Sequence, residues 1–158
     1  MTYALMAVFA ALILIADQIT KYLTVANIPL HDSMGGISGL FHLTYTQNDG
    51  AAFSMLEGQQ WLFALIFVVF AAFILWEFPK KRLGFATFER FCIVAVFAGG
   101  LGNMIDRLHL GYVVDMIAVD FIDFPVFNVA DIFITCGCIA LLFHLVFFNR
   151  KFWKDEKK

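Results

Sequence analysis

Apolar residues are concentrated in four stretches of the chain, separated by segments that hold most of the polar and charged residues. Each stretch can be drawn at about the 20 residues that an α-helix needs to cross the hydrocarbon core of a bilayer. The pattern predicts four membrane-spanning helices within a single domain of residues 1–158, at about 3–25, 61–78, 88–105 and 129–148. Gly99, Gly100 and Gly102 lie inside the third span, where small residues are typical of close helix packing.

The composition supports a membrane protein. Of the 158 residues, 61% are hydrophobic and only 15% are charged, whereas a soluble domain has about 25% charged residues. This excludes an ordinary soluble globule, a disordered chain and a basic nucleic-acid-binding domain. The three cysteines fall in apolar runs and the four histidines share no common spacing, so we expect no metal site and no cofactor.

The positive charges indicate an orientation. Nine of the eleven Lys and Arg residues lie between spans two and three or after span four, and only Lys21 and Arg107 lie elsewhere. Because cytoplasmic segments are enriched in Lys and Arg, both termini are predicted to be cytoplasmic. The nine residues are Lys80, Lys81, Arg82, Arg90, Arg150, Lys151, Lys154, Lys157 and Lys158.

The two connections on the extracytoplasmic side differ in length and cover about residues 26–60 and 106–128. Residues 41–46 alternate between apolar and polar side chains, which is typical of a half-buried strand. A second β-branched run follows Tyr112. The predicted fold class is an all-α membrane protein, a four-helix bundle with a small extracytoplasmic β element.

Ionisable groups are costly at bilayer depth and are therefore candidates for function. Here they collect at the outer ends of spans one, three and four. Asp17 and Lys21 are four residues apart on one helix face, and a structural ion pair is favoured over a catalytic role. Asn103 and Arg107 have the same spacing; Arg107 either binds a substrate carbonyl or anion or extends to the interface.

Asp115 and Asp131 are the candidate catalytic pair. Asp115 follows an apolar strand-like run, and Asp131 lies in the first turn of span four, after the N-cap candidate Asn128. Two adjacent carboxylates tend to share one proton, so that one acts as a base and the other as an acid. Such a pair can activate water for attack on an amide. The simpler alternative is that Asp131 caps a helix and Asp115 is a solvated loop residue.

Five motifs in order resemble those of the bacterial lipoprotein signal peptidases, the type II signal peptidase family, over essentially the whole chain. They are Asp17-Gln18-Ile19-Thr20-Lys21, Asn48-Asp49-Gly50-Ala51-Ala52-Phe53, Gly102-Asn103-Met104-Ile105-Asp106-Arg107, Val113-Val114-Asp115 and Phe127-Asn128-Val129-Ala130-Asp131. One departure is Met116, where the family usually has Phe.

The resemblance implies an aspartyl endopeptidase of the bacterial cytoplasmic membrane, with its site near the extracytoplasmic face. Its substrates would be diacylglyceryl-modified prolipoproteins, cleaved just before the lipidated cysteine. Membrane lipids and globomycin-type cyclic peptide inhibitors would be its other partners, and a monomer is expected. The family fold adds a β-sheet cradle and a mobile loop over the site, for which Gly35, Gly36 and Gly39 offer flexible positions.

The resemblance also implies roles for individual residues. Asp115 and Asp131 would be catalytic. Asn48, Gly50, Asn103, Arg107 and Asn128 would bind the substrate, and Asp17, Lys21, Asp106 and Ala130 would support the site.

Two alternatives from other classes remain. A small transporter or proton-relay protein would use Asp17, Asp115 and Asp131 as a relay, and it predicts charges distributed through the bilayer depth. A Mg²⁺-dependent phospholipid head-group transferase would use clustered aspartates as ligands, and it predicts inhibition by a chelator.

Overall fold

A computed structural model of the chain describes residues 1–50 and 58–149. Its four helices are all long and apolar enough to cross a membrane, which confirms the predicted bundle. They are α1 (Thr2–Asn27), α2 (Gln60–Lys80), α3 (Thr87–Leu110) and α4 (Val129–Phe147). Two parts of the predictions above concern residues outside these ranges. They are residues 51–53, which end the second motif, and residues 150–158, which hold the basic residues after span four.

Helix α3 is the centre of the bundle and packs on the other three helices. More than half of its apolar window is buried, against less than a fifth in each of the others. Gly99 explains the close contact with α4, because a Cβ there would collide with the carbonyl oxygen of Ala130. The prediction that these glycines serve helix packing is confirmed at this position.

Helix α3 also ends later than predicted, at Leu110 rather than near residue 105, so the connection starts at Gly111. Gly111 has a φ of 85°, the left-handed conformation that glycine adopts readily at a helix C-terminus. Asp106 and Arg107 therefore lie on the helix. Asp106 can remain there because Lys21 and a backbone N–H satisfy its buried carboxylate.

Three antiparallel strands form a small sheet in the order β1-β2-β3, with β1 at Ser33–Ile37, β2 at Phe41–Asn48 and β3 at Val113–Val119. The strand expected at residues 41–46 is thus confirmed within β2, and the run after Tyr112 forms β3. β1 was not predicted. Gly35 and Gly36 belong to this edge strand, on the side of β2 away from β3, and not to a loop over the site.

The sheet contacts the segment that follows α1 and the segment that precedes α4. Ile28 after α1 packs with Tyr45 of β2 and Val114 of β3. β3 also pairs with Phe127 through an isolated bridge at Ile117. This bridge brings the start of α4 beside β3, although the two segments are joined by a connection of several residues.

The opposite end of the bundle holds a second buried polar cluster that the sequence did not predict. Glu77 and Glu89 are fully buried and Arg90 is nearly so. Glu77 accepts hydrogen bonds from backbone N–H groups that follow α2, and Glu89 contacts the His144 ring on α4 at 2.8 Å. The expectation that buried ionisable groups collect at a single level was therefore wrong; paired carboxylates also hold the helix ends together here.

Candidate active site

The structure brings Asp115 and Asp131 together at the end of the bundle that carries the sheet. Asp115 lies on β3, with 2% of its surface exposed, and Asp131 lies in the first turn of α4. Asn128 connects them, because its side-chain amide donates to Asp115 at 2.6 Å and its backbone N–H donates to Asp131 at 3.2 Å. The two carboxylates that the sequence proposed as a pair are thus held by one residue.

Asparagine amides supply most of the remaining contacts. Asn48 donates to the other oxygen of Asp115 at 2.8 Å, and Asn103 donates to Asp131 at 2.8 Å. The side chain of Asn128 also accepts a hydrogen bond from the backbone N–H of Asp131 at 3.0 Å, which confirms its predicted role as N-cap of α4. Each carboxylate therefore has two fixed donors and a defined orientation.

Burial changes the acid–base behaviour of Asp115. Its pKa is raised from an ordinary 3.8 to about 7, mainly by desolvation and also by the nearby charge of Asp131, against the opposing effects of Asn48, Asn128 and Lys21. A carboxyl group that titrates near neutral pH can both hold and release a proton under working conditions. This is the property that general acid–base catalysis requires.

The pair faces a cavity of about 860 Å³ that opens between α2, α3 and α4. Its polar end is formed by both aspartates and by Asn48, Gly50, Asn103 and Arg107, so these predicted site residues meet in one place. Its walls are apolar, with contributions from all three helices: Phe63, Ile66, Phe67, Phe70, Val96, Met104, Ile132 and Ile134. The cavity therefore has a polar end, which holds the two aspartates, and apolar walls formed by the three helices.

Asn128 does not line this cavity. It is fully buried behind the two carboxylates, and its amide also donates to the side-chain oxygen of Asn103 at 3.1 Å. Asn128 therefore contacts both carboxylates from the buried side, and the substrate contact that the resemblance implied stays a prediction.

Arg107 lines the cavity together with both aspartates. Its guanidinium donates to the carbonyl of Gly50 at 2.8 Å and to that of Asn103 at 3.3 Å, and it lies 4.2 Å from the ring centroid of Phe63. Its Nε is buried and has no hydrogen-bond partner among the described residues. Arg107 therefore lies with the two aspartates at the polar end of the cavity, and its binding of a substrate carbonyl or anion stays a prediction.

The supporting residues form a group behind the pair. Lys21 lies 3.0 Å from Asp17 and 2.9 Å from Asp106, so the ion pair expected from the i,i+4 spacing is present and has a third member. Asp17 accepts the backbone N–H of Ala130 at 2.9 Å. Gly102 makes room for this arrangement, because a Cβ at that position would run into the carboxylate of Asp17.

Two glutamines near the site were missed as candidate residues. Gln18 donates to both Asp17 and Asp106. Its place in the first motif was the available signal. Gln60, at the start of α2, donates to the carbonyls of Asp49 and Gly111 and so connects the segment after β2 to the end of α3. No sequence pattern marked Gln60, because its partners are backbone groups distant in the chain.

Within residues 1–50 and 58–149, no group of three or more His, Cys, Asp and Glu side chains is placed to hold a metal ion.

Comparisons with known proteins agree with this geometry. The family described as "Signal peptidase (SPase) II" matches residues 9–147. A "Lipoprotein signal peptidase" of Streptococcus pyogenes serotype M1 is 41% identical over 153 residues, covering 94% of this chain and 93% of that protein. One from Streptococcus thermophilus strain CNRZ 1066 is 44% identical over 143 residues, covering 89% and 86%.

A comparison with solved structures also matches a bacterial membrane enzyme. Its structure superposes with a TM-score of 0.83 at 32% identity, and the match covers 98% of this chain and 93% of that one. Fold, motif order and full-length similarity therefore agree, and the chain belongs to the signal peptidase II family.

Proposed function

We propose that the protein is a membrane aspartic endopeptidase that removes signal peptides from diacylglyceryl-modified prolipoproteins, cutting just before the lipidated cysteine. The observation that carries this proposal is the buried pair of Asp115 and Asp131, joined by Asn128 at the polar end of an apolar cavity. Membership of the signal peptidase II family supports the same function and does not favour a transporter or a phospholipid transferase.

The pair works with one shared proton. The ionised carboxylate takes a proton from a water molecule as that water attacks the scissile carbonyl carbon, and the protonated carboxyl then donates its proton to the departing amine nitrogen. The proton count is unchanged after a full turn, because one proton enters from water and one leaves with the amine. The raised pKa of Asp115, about 7, fits a pair that holds one proton near neutral pH.

The cavity matches a substrate with a peptide backbone and a long apolar part. Asn48 and Arg107 offer donors at the polar end, where a backbone carbonyl or the developing oxyanion needs them. The phenylalanines of α2 and the apolar face of α4 offer a surface for the signal helix and for acyl chains. Burying acyl chains contributes about 0.8 kcal/mol per CH₂.

The charge pattern supports an orientation in the bacterial cytoplasmic membrane. The catalytic pair lies at the C-terminal ends of α1 and α3, and Lys80 and Lys81 lie at the opposite end of the bundle. The positive-inside rule then puts both termini in the cytoplasm and the site near the extracytoplasmic face. We propose a monomer in contact with membrane lipids, inhibited by globomycin-type cyclic peptides that occupy the polar end.

The test is cleavage of a diacylglyceryl-modified prolipoprotein in detergent, with and without EDTA. We expect the wild type to cleave in EDTA, and folded Asp115→Asn and Asp131→Asn to lose about 1,000-fold or more in kcat. Asp123→Asn, which removes an exposed carboxylate, is the matched control and should cleave normally. Near-full activity in either catalytic variant would disprove the pair, and loss of cleavage in EDTA would favour a metal mechanism.

A further inference from the structure

We propose that Lys21, Asp17 and Asp106 form a positioning triad that sets both the separation and the charge balance of the catalytic pair. The inference rests on the proposed function, since it assigns a task relative to Asp115 and Asp131. None of the three triad residues lines the cavity, so they act through other residues and not on the substrate.

The two triad carboxylates make equivalent contacts. Asp17 accepts the backbone N–H of Ala130, the residue directly before Asp131, at 2.9 Å. Asp106 accepts the backbone N–H of Val114, the residue directly before Asp115, at 3.1 Å. Each catalytic aspartate therefore follows a backbone group that is held by a buried carboxylate on another element.

Lys21 joins these two contacts into one unit. Its ammonium group lies 3.0 Å from Asp17 and 2.9 Å from Asp106, and all three side chains are at least 95% buried. Asp17 on α1 holds the backbone before Asp131, and Asp106 on α3 holds the backbone before Asp115. Because one cation bridges these two carboxylates, it fixes the distance between the catalytic carboxylates. Misplacement of reacting groups by about 1 Å can cost about 100-fold in rate.

The third donor position of Lys21 fixes the orientation of an amide. Lys21 donates to the side-chain oxygen of Asn103 at 2.8 Å. With its oxygen occupied, Asn103 must turn its NH₂ group toward Asp131, where it donates at 2.8 Å. A reversed amide would turn its NH₂ group toward the ammonium group of Lys21 and its oxygen toward Asp131, so that Asp131 would keep only the backbone N–H of Asn128 as a donor.

The triad also contributes charge. Two carboxylates and one ammonium sum to −1 close to the pair. The other charged groups around Asp115 are Asp131 from α4 and Arg107 from α3, whereas β2 supplies the neutral Asn48. Removing the positive charge of Lys21 should make the pair harder to ionise, and removing a triad carboxylate should make it easier.

The test is the pH profile of kcat/KM for Lys21→Met, Asp17→Asn and Asp106→Asn, with the detergent-solubilised full chain and a diacylglyceryl-modified prolipoprotein peptide. Asn keeps an oxygen that can accept the backbone N–H. We expect the profile to move up by about one pH unit for Lys21→Met and down by about one for each Asn variant. Lys80→Met, at the exposed end of α2, is the matched control and should leave the profile in place.

Opposite shifts are the signature of charge coupling, which a merely structural role would not produce. If all three variants lose activity evenly with unchanged profiles, or shift in the same direction, the proposal is wrong. If Lys21→Met does not fold, the downward shift in the two Asn variants still decides. The proposed function fails separately, through activity retained by Asp115→Asn or Asp131→Asn.

Discussion

Replacing Asp115 by Asn should make the protein inactive but more stable, and the gain in stability should grow with pH. Asp115 is almost fully buried in the fold, and its pKa is raised from an ordinary 3.8 to about 7. At 1.36 kcal/mol per pH unit, that difference corresponds to about 4 kcal/mol for ionising this side chain in the folded protein.

The direction of this pH dependence follows from the linkage between proton binding and folding. A carboxyl group whose pKa is raised by folding leaves stability intact below its unfolded value of 3.8, and stability is lost as pH rises through about 7. Asn resembles the protonated acid in size and in offering one acceptor and one donor group, but it cannot ionise. Asp115→Asn should therefore match the wild type near pH 4 and exceed it above pH 7.

The assay is thermal unfolding of both proteins in one detergent between pH 4 and pH 8. A difference of about 4 kcal/mol corresponds to about 10 °C in Tm for a chain of this length. Asp123→Asn is the control, because its carboxylate is exposed and should produce no pH-dependent difference. A Tm difference between Asp115→Asn and wild type that stays constant across this range would refute the reasoning, since it would mean that Asp115 ionises in the fold as it does in water.

Three further predictions concern the residues behind the pair and the mechanism. Gly102→Ala should lower the free energy of unfolding by about 2 kcal/mol, as measured by denaturation in detergent, because its Cβ would collide with Asp17. Gly100→Ala is the control and should leave the free energy of unfolding unchanged, because its Cβ would make ordinary contact with Phe67. Asn128→Ala should lower kcat by about 100-fold and Tm by a few degrees, because it removes the α4 N-cap and a donor to the pair. Cleavage rates should be the same in EDTA and in added Mg²⁺, and a dependence on either would contradict acid–base catalysis by carboxylates alone.

Local features of the chain were predictable from the sequence. The four spans follow from apolar composition over about 20 residues, because transfer into a bilayer depends on the residues of that segment alone. The N-cap role of Asn128 and the pair of Asp17 with Lys21 were predictable for a similar reason, since both involve residues within four positions of each other. The five motifs added the identity of the catalytic candidates.

Contacts between distant segments were decided only by the tertiary structure. The extension of α3 to Leu110 was missed because the partner of Asp106 that keeps it in the helix, Lys21, lies on α1. The buried cluster at the opposite end of the bundle, with Glu77 and Glu89, was missed for the same reason.

The sequence by itself determined that this is a four-span membrane protein and which carboxylates are candidates for catalysis. Only the fold determined that Asn128 contacts both Asp115 and Asp131. Only the fold, likewise, placed the ammonium group of Lys21 between Asp17 and Asp106. The physical reason is that burial and hydrogen bonding depend on which helix faces and strands meet, and no local pattern specifies a donor many residues away.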